Sequence, residues 1–450
     1  MGKVAVHGGN DRLASLVEET GWTYAQFARA VNRAGTEAGL ALKYDESSVW
    51  HWLNGTVPRA RVLPVVLEVL SRRLNRPVYP AAAGFRRTPA GSSTAVDTVD
   101  GLAELGAADM DPSRRSVLGA AGLYSVALAV PGYPDAAERF DALRRNPRAR
   151  IGQGEVDTVV AVTERISAID DMFGGRHARP MAAAFLVNTI APYLRADASE
   201  KVRRAMLSAA ADHCYLTGYM AMDERADGLA QQYYLKALEL AGGAEDHLAY
   251  CTTLRGMSVQ AVDLGHGPHA LRLADAASAA SPEAGPRMRS FLAGQQAHAA
   301  AVTGDRSLAL AKLAEAERAM EKAEARAKAF GSYDPSSLSY HTAQVRYALG
   351  DKKAAIAALE DSDRQRESAY RRGRVRHLGM LAERKLETGL LEEACSDWNR
   401  ALDDYPHVQS GRCDDRFRAM LAAIRPHLKN RHARALYERA RTTAPAQVAK

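Results

Sequence analysis

A turn recurs five times along the C-terminal half of this 450-residue chain, and each recurrence carries the same order of side-chain sizes. The turn residues are Arg225, Gly265, Gly304, Gly350 and Gly389. Five residues beyond each stands an alanine: Ala230, Ala270, Ala309, Ala355 and Ala394. Four residues further comes a bulky or apolar position: Tyr234, Ala274, Leu313, Leu359 and Trp398. Three further on is a mostly small one: Ala237, Ala277, Ala316, Ser362 and Ala401. Pro282 and Pro406 then follow in two of the five. Offsets of four and seven place all three positions on one face of a helix. A small residue at a crossing lets two helices approach, and a large one a turn later fills the neighbouring groove. One helix pair cannot bury its own apolar face, but stacked pairs can. The alanines lie 39 to 46 residues apart, room for two helices and their turns, and no alternation of strand type interrupts them. The pattern predicts an all-α stack of helix hairpins.

The small-large-small order on a second helix, behind a Gly-containing turn, resembles the tetratricopeptide repeat. The resemblance covers roughly residues 205–410. The spacing exceeds that family's usual ~34 residues, which longer helices or loops accommodate. Residues 135–200 read as one or two degenerate helix pairs, and 411–445 as a closing pair.

The other end of the chain is different. Residues 1–87 hold 12 Lys and Arg against seven Asp and Glu, whereas the remainder holds 48 against 46. Most of the net charge of +7 therefore sits on a small N-terminal unit, as a phosphate-binding module requires. A solvated basic face would show the same balance. Residues 10–75 read as four or five short helices. Leu13, Leu16 and Val17 form the stripe of a first. Thr23 caps a second carrying Phe27, Ala28 and Val31. A third opens near Asp45 and stops at Gly55, and Val62, Val65, Val66 and Val69 face inward from a fourth.

The pattern G-W-T-x-x-x-F-A-x-x-V, followed by S-S-V-x-x-W-L-N-G-x-x-P, resembles the phage-repressor-like (XRE-type) helix-turn-helix family. In that family the third helix lies in the major groove. The resemblance implies that Glu46, Ser47 and His51 read base edges, with Ser48 beside them. It implies that Tyr24 and Gln26 grip phosphate, and that Trp50 rests on a thymine methyl or the sugar backbone. Ser47 and Ser48 are equally placed to cap the helix. About ten extra residues, Arg33 to Tyr44, separate the second and third helices; Arg33 and Lys43 among them are placed to touch phosphate. Val31-Asn32-Arg33 and Trp52 to Arg59 are also similar to actinobacterial regulators of the NsdA type, which adds Arg59 to the expected DNA contacts.

Residues 86–113 have a linker composition, dividing the chain into an N-terminal domain (1–85), a linker, an apolar helix with degenerate pairs (114–204) and the solenoid (205–450). Ser113-Arg114-Arg115-Ser116 leads into an apolar run ending near Pro131. The run resembles a twin-arginine signal, but it follows a folded unit and is shorter than a membrane helix, so a buried helix is expected. With no signal peptide at the N-terminus and four scattered cysteines, Cys214, Cys251, Cys395 and Cys413, the expectation is a cytoplasmic protein with free thiols, off the membrane. No phosphate loop, HExxH helix or GxSxG elbow occurs, and adjacent acidic pairs such as Asp403-Asp404 and Asp414-Asp415 point apart on a helix. Neither an enzyme nor a cofactor is expected.

In the repeat register, the first helix of each pair lines a concave face with Tyr215, Tyr219, Arg255, Gln295, His298, His341, Gln344 and Arg376. Such a set suits a peptide's amides and terminal carboxylate, a small signalling ligand, a partner protein, or simply solvent. The run from Arg371 to His377 reads as a solvated helix start, a nucleic-acid contact or a site for an acidic partner. The whole design resembles the peptide-pheromone regulators of Gram-positive bacteria. That resemblance implies a homodimeric regulator of double-stranded DNA in quorum sensing, whose solenoid takes an oligopeptide or small-molecule effector. The alternative is a scaffold whose N-terminal domain docks partners.

Overall fold

The computed structural model describes residues 10–443 apart from 38–39, 60, 75, 86–97, 111–123, 125–149, 281–283, 324–332 and 367–369. The described residues are all-α; one isolated bridge, between Arg150 and Asp197, is their only β pairing. None of their helices is long and apolar enough to cross a membrane. All four cysteines are free and buried.

Four helices make the N-terminal unit: α1 (Asp11–Glu19), α2 (Tyr24–Glu37), α3 (Glu46–Leu53) and α4 (Leu63–Leu74). Leu13, Val17, Phe27, Val31, Val49, Trp52 and Leu70 meet in their common core. The caps are side-chain caps. Asn10 accepts from the Leu13 amide at 3.0 Å and Asp45 from the Ser48 amide at 2.9 Å, satisfying first-turn donors that have no helical partner.

Residues 86–113 do not form one linker. Thr98–Met110 is a helix, α5, whose Val99, Leu102 and Leu105 are buried against the array behind it. Its glycines and alanines gave it a loop composition. Yet Gly106 is required, because a Cβ there would stand 2.6 Å from Val187. The Arg114-Arg115 segment lies outside the described residues; of the apolar run only Tyr124 is described, buried and stacked on His266 with ring centroids 5.4 Å apart.

Among the described residues the array comprises seven helix pairs. The first is α6 (Gln153–Phe173) with α7 (Gly175–Phe185), and α7 continues through a π-helical turn, Leu186–Ile190, into Ala191–Arg195. Then follow α8 (Glu200–Asp223) with α9 (Asp227–Gly243), α10 (His247–Asp263) with α11 (Gly267–Ala279), and α12 (Pro286–Val302) with α13 (Arg306–Glu321). Last come α14 (Pro335–Ala348) with α15 (Lys352–Gln365), α16 (Arg371–Glu387) with α17 (Leu391–Asp404), and the closing pair α18 (Gly411–Ile424) with α19 (Arg431–Thr443).

The five repeated turns share one geometry. Arg225, Gly265, Gly304, Gly350 and Gly389 all have φ between 66° and 85°. The next amide reaches back five residues each time, as from Asp351 to the Arg346 carbonyl at 2.8 Å. This is the left-handed closure that satisfies a helix's last carbonyls. All five marker alanines are fully buried at the crossings, with Tyr234, Leu313, Leu359 and Trp398 buried a turn later.

The two ends of the array meet. Arg372, near the start of α16, enters between the C-terminal ends of α6 and α8 and bonds Asp170 and Asp171 at 2.9 Å, with Asp223 at 3.5 Å. Around it, Arg225 bonds Asp415 at 2.6 Å, Arg176 bonds Asp414 at 3.1 Å, and Arg412 on α18 pairs with Asp263 on α10. The backbone joins as well. The Gln409 amide donates to the Phe173 carbonyl at 2.7 Å, and the Arg176 amide to the Gln409 carbonyl at 3.1 Å. Gly174 allows this approach, since a Cβ there would lie 2.4 Å from the Gln409 oxygen. The solvated start expected for the 371–377 run is thus a buried seam at Arg372, and its acidic partners belong to the same chain.

Candidate functional site

Two surfaces bring the residues singled out in the sequence together. The first is the outer face of α2 and α3. Glu46, Ser47, Trp50 and His51 are exposed on α3 while Val49 and Trp52 are buried behind them. Trp50 is 53% exposed, a large cost for an aromatic ring in water. Its ring meets His51 edge-on at 5.1 Å. Tyr24, Gln26, Arg33, Lys43 and Arg59 are exposed around it. Arg29, Arg33, Lys43 and Arg59 make no ion pair among the described residues.

Two of these residues act inside the fold. Ser48 donates to Asp45 at 2.7 Å and completes the α3 capping box; those bonds hold the Asp45 carboxyl below its usual range. Gln26 accepts from the Thr23 amide at 2.8 Å and does the same for α2. The extra residues between α2 and α3 are also accounted for. Arg33–Glu37 lengthens α2, and Asn32 clamps the returning strand of chain by bonding both the Tyr44 amide and carbonyl, at 2.8 and 2.7 Å. Tyr44 then packs edge-on against Trp52 at 4.9 Å.

The second surface is the inner face of the array, on α8, α10, α12, α14 and α16. Three of the eight residues expected there are buried and bonded or packed within the protein. Gln295 is buried and donates to Ser258 at 3.0 Å. His341 is held between Arg255 at 3.2 Å and the Tyr333 hydroxyl at 2.8 Å. Tyr215 is buried against Tyr234. Tyr219, Arg255, His298, Gln344 and Arg376 are half-buried. The seam adds residues that no local pattern announced: Arg366, Arg412, and Tyr340 stacked on His377 at 4.4 Å.

Arginines act on several rings of the inner face. Burial raises the Tyr219 pKa, but Arg372, Arg412 and Arg376 outweigh it and bring the hydroxyl below its usual range. Burial, with Arg366, Arg376 and Arg412, holds His377 well below the normal imidazole value, and burial with Arg255 does so for His341.

His213, deeper in the first pairs, is neutral for a geometric reason. Its two ring nitrogens meet the Thr163 hydroxyl and the Ala182 carbonyl, each at 2.9 Å, as one neutral tautomer can satisfy. Burial pushes its pKa down to about 4, against the pull of the Ala182 carbonyl. In the unfolded chain it titrates near 6.5, so its contribution is complete above that pH and is lost as pH falls towards 4. About 2 kcal/mol should be gone by pH 5, and His298, also pushed to about 4, acts in the same direction. Thermal unfolding at pH 7 and pH 5 measures this; equal midpoints would contradict it.

The described residues thus define an all-α protein in which a four-helix unit with an exposed aromatic and basic face precedes a helix-pair solenoid with joined ends. Residues 13–86, which span that four-helix unit, match the family model described as the SP15 N-terminal domain. No curated protein and no solved structure matches the chain.

Proposed function

We propose that the protein is a sequence-specific DNA-binding regulator of transcription and not an enzyme, with α3 entering the major groove and the inner face of the solenoid holding a peptide or small signalling ligand. The observation that carries this reading is the α3 face, where Glu46, Ser47, Trp50 and His51 project outward among cations that make no ion pair with any described residue. A helix with its core face buried and a polar and aromatic face free suits base edges and sugar, and unpaired Arg and Lys suit phosphate. Arg33 and Lys43 lie on either side of the Asn32 clamp, which fixes the insert that carries them.

A physical route joins the two surfaces. Arg255 and Asp263 lie on α10, whose following turn carries His266. His266 sits 3.2 Å from Glu68 of α4, inside the N-terminal unit. A ligand that shifts α10 would press on that contact. A unit of this size covers one half-site, so the regulator would act as a homodimer.

Genomic DNA capture with the full-length protein identifies the operator, and titration of the affinity against salt tests the reading. With five phosphates neutralised, affinity should fall about two to three powers of ten from 50 to 200 mM salt. Binding that ignores salt, or no enrichment of any sequence, would favour a protein-docking scaffold instead.

A further inference from the structure

The inner face does not look like a groove for an extended chain. The seam between α6, α8 and α10 on one side and α16 and α18 on the other closes it along one side. What remains is a short interior in which charge is unevenly matched. Arg372 and Arg412 have carboxylates, in Asp170, Asp171, Asp223 and Asp263. Arg255, Arg366 and Arg376 make no ion pair among the described residues; Asp334 favours the charge of Arg366, and Arg376 favours the Asp263 carboxylate, only from beyond ion-pair distance. Arg255 touches only neutral groups: His341, the Tyr215 hydroxyl and the face of Phe291 at 4.1 Å. Arg366 reaches the Ser362 hydroxyl at 3.3 Å. Arg376 makes no hydrogen bond or ion pair with any described residue. The Nε atoms of Arg255 and Arg366 are buried N–H donors without an acceptor.

A guanidinium drawn out of water without an ion-pair partner is costly, and unmatched buried donors add to that cost. Here three half-buried guanidiniums, two of them with a buried Nε that finds no acceptor, share one interior with Tyr219, His298 and Tyr340. An oxyanion supplies what is absent: negative charge, and acceptors for the fork of N–H groups on each arginine. The aromatic and imidazole rings suit a planar, apolar body beside the anionic group.

We propose that the inner face is a binding site for a small organic oxyanion, bearing phosphate or paired carboxylates, held by Arg255, Arg366 and Arg376. This deepens the effector reading above by naming the ligand's class, but it does not depend on DNA binding. A phosphorylated metabolite, a dicarboxylate and the free carboxylate end of a short peptide share this chemistry.

Calorimetric titration of the full-length protein with pyrophosphate, with phthalate and with a triglycine tests the proposal and separates the sources. Saturable binding of at least one probe, weakened about tenfold or more in Arg376→Gln and in Arg255→Gln, is the expected result. Because Arg376 makes no hydrogen bond or ion pair with any described residue, its variant should keep the wild-type melting midpoint, so lost binding is not lost folding. Absence of saturable binding by all three probes up to about 10 mM, or binding indifferent to both substitutions, would overturn the proposal. Binding that leaves operator affinity unchanged would uphold the site and count against the effector role alone.

Discussion

Replacing Arg372 with alanine should lower the unfolding free energy by about 3–5 kcal/mol, the largest effect expected of any single exchange in the array. The guanidinium is buried at the seam, where it serves Asp170, Asp171 and Asp223 at once and also donates to the Asp170 carbonyl at 3.3 Å. Burial disfavours its charge, but Asp170 and Asp223 outweigh burial and raise its pKa. Without it, carboxylates of three residues face one another in a dry junction. Urea unfolding followed by circular dichroism gives the magnitude. Amide exchange at Gln409 and Arg176, whose hydrogen bonds cross the seam, should rise in the variant before global unfolding does. Removing the whole charge set, with Arg372→Met joined to Asp170→Asn and Asp223→Asn, should restore part of the loss. A loss below about 1 kcal/mol for Arg372→Ala would mean the seam contributes little.

Alanine at Ser47 and His51 together should weaken operator binding by about 2–4 kcal/mol, one to two from each base contact, while helicity stays as it is. Both residues are exposed on α3, and neither takes part in its cap. Ser48→Ala is the structural counterpart. It removes the hydroxyl bonded to Asp45 and should cost about 1 kcal/mol of stability, with a smaller change in DNA affinity. Gel-shift titration on the captured operator, beside melting curves, separates the two. Unchanged affinity in the Ser47, His51 double variant would show that α3 is not the reading helix.

The repeats were legible because both of their marks are local. A buried alanine at a crossing and a turn residue at positive φ each leave a fixed offset in the chain, and all five stand where the register put them. Arg225 was found only by its place in that register, since its side chain does not advertise a left-handed turn. The α3 boundary was legible for the same reason, from Asp45 to the stop at Gly55. The seam was not. Arg372 and Asp170 are 202 residues apart, and pairing at that distance leaves no periodic trace in either helix. The acidic pair Asp414-Asp415 does point apart on its helix, but nothing local shows that one member bonds Arg176 and the other Arg225. Helix α5 was hidden by its own glycines. On the inner face, the register could not tell a half-buried residue such as Arg376 from a buried one bonded to a neighbour, such as Gln295.

The joined ends have a consequence in time as well as in shape. If the inner face holds the proposed ligand, a molecule that passed between the first and last hairpins would have to wait for ion pairs and two main-chain bonds to part, both to enter and to leave. Exchange by that route would be slow in both directions, whatever the affinity, and the protein would keep its occupant for a time after the surrounding concentration had fallen.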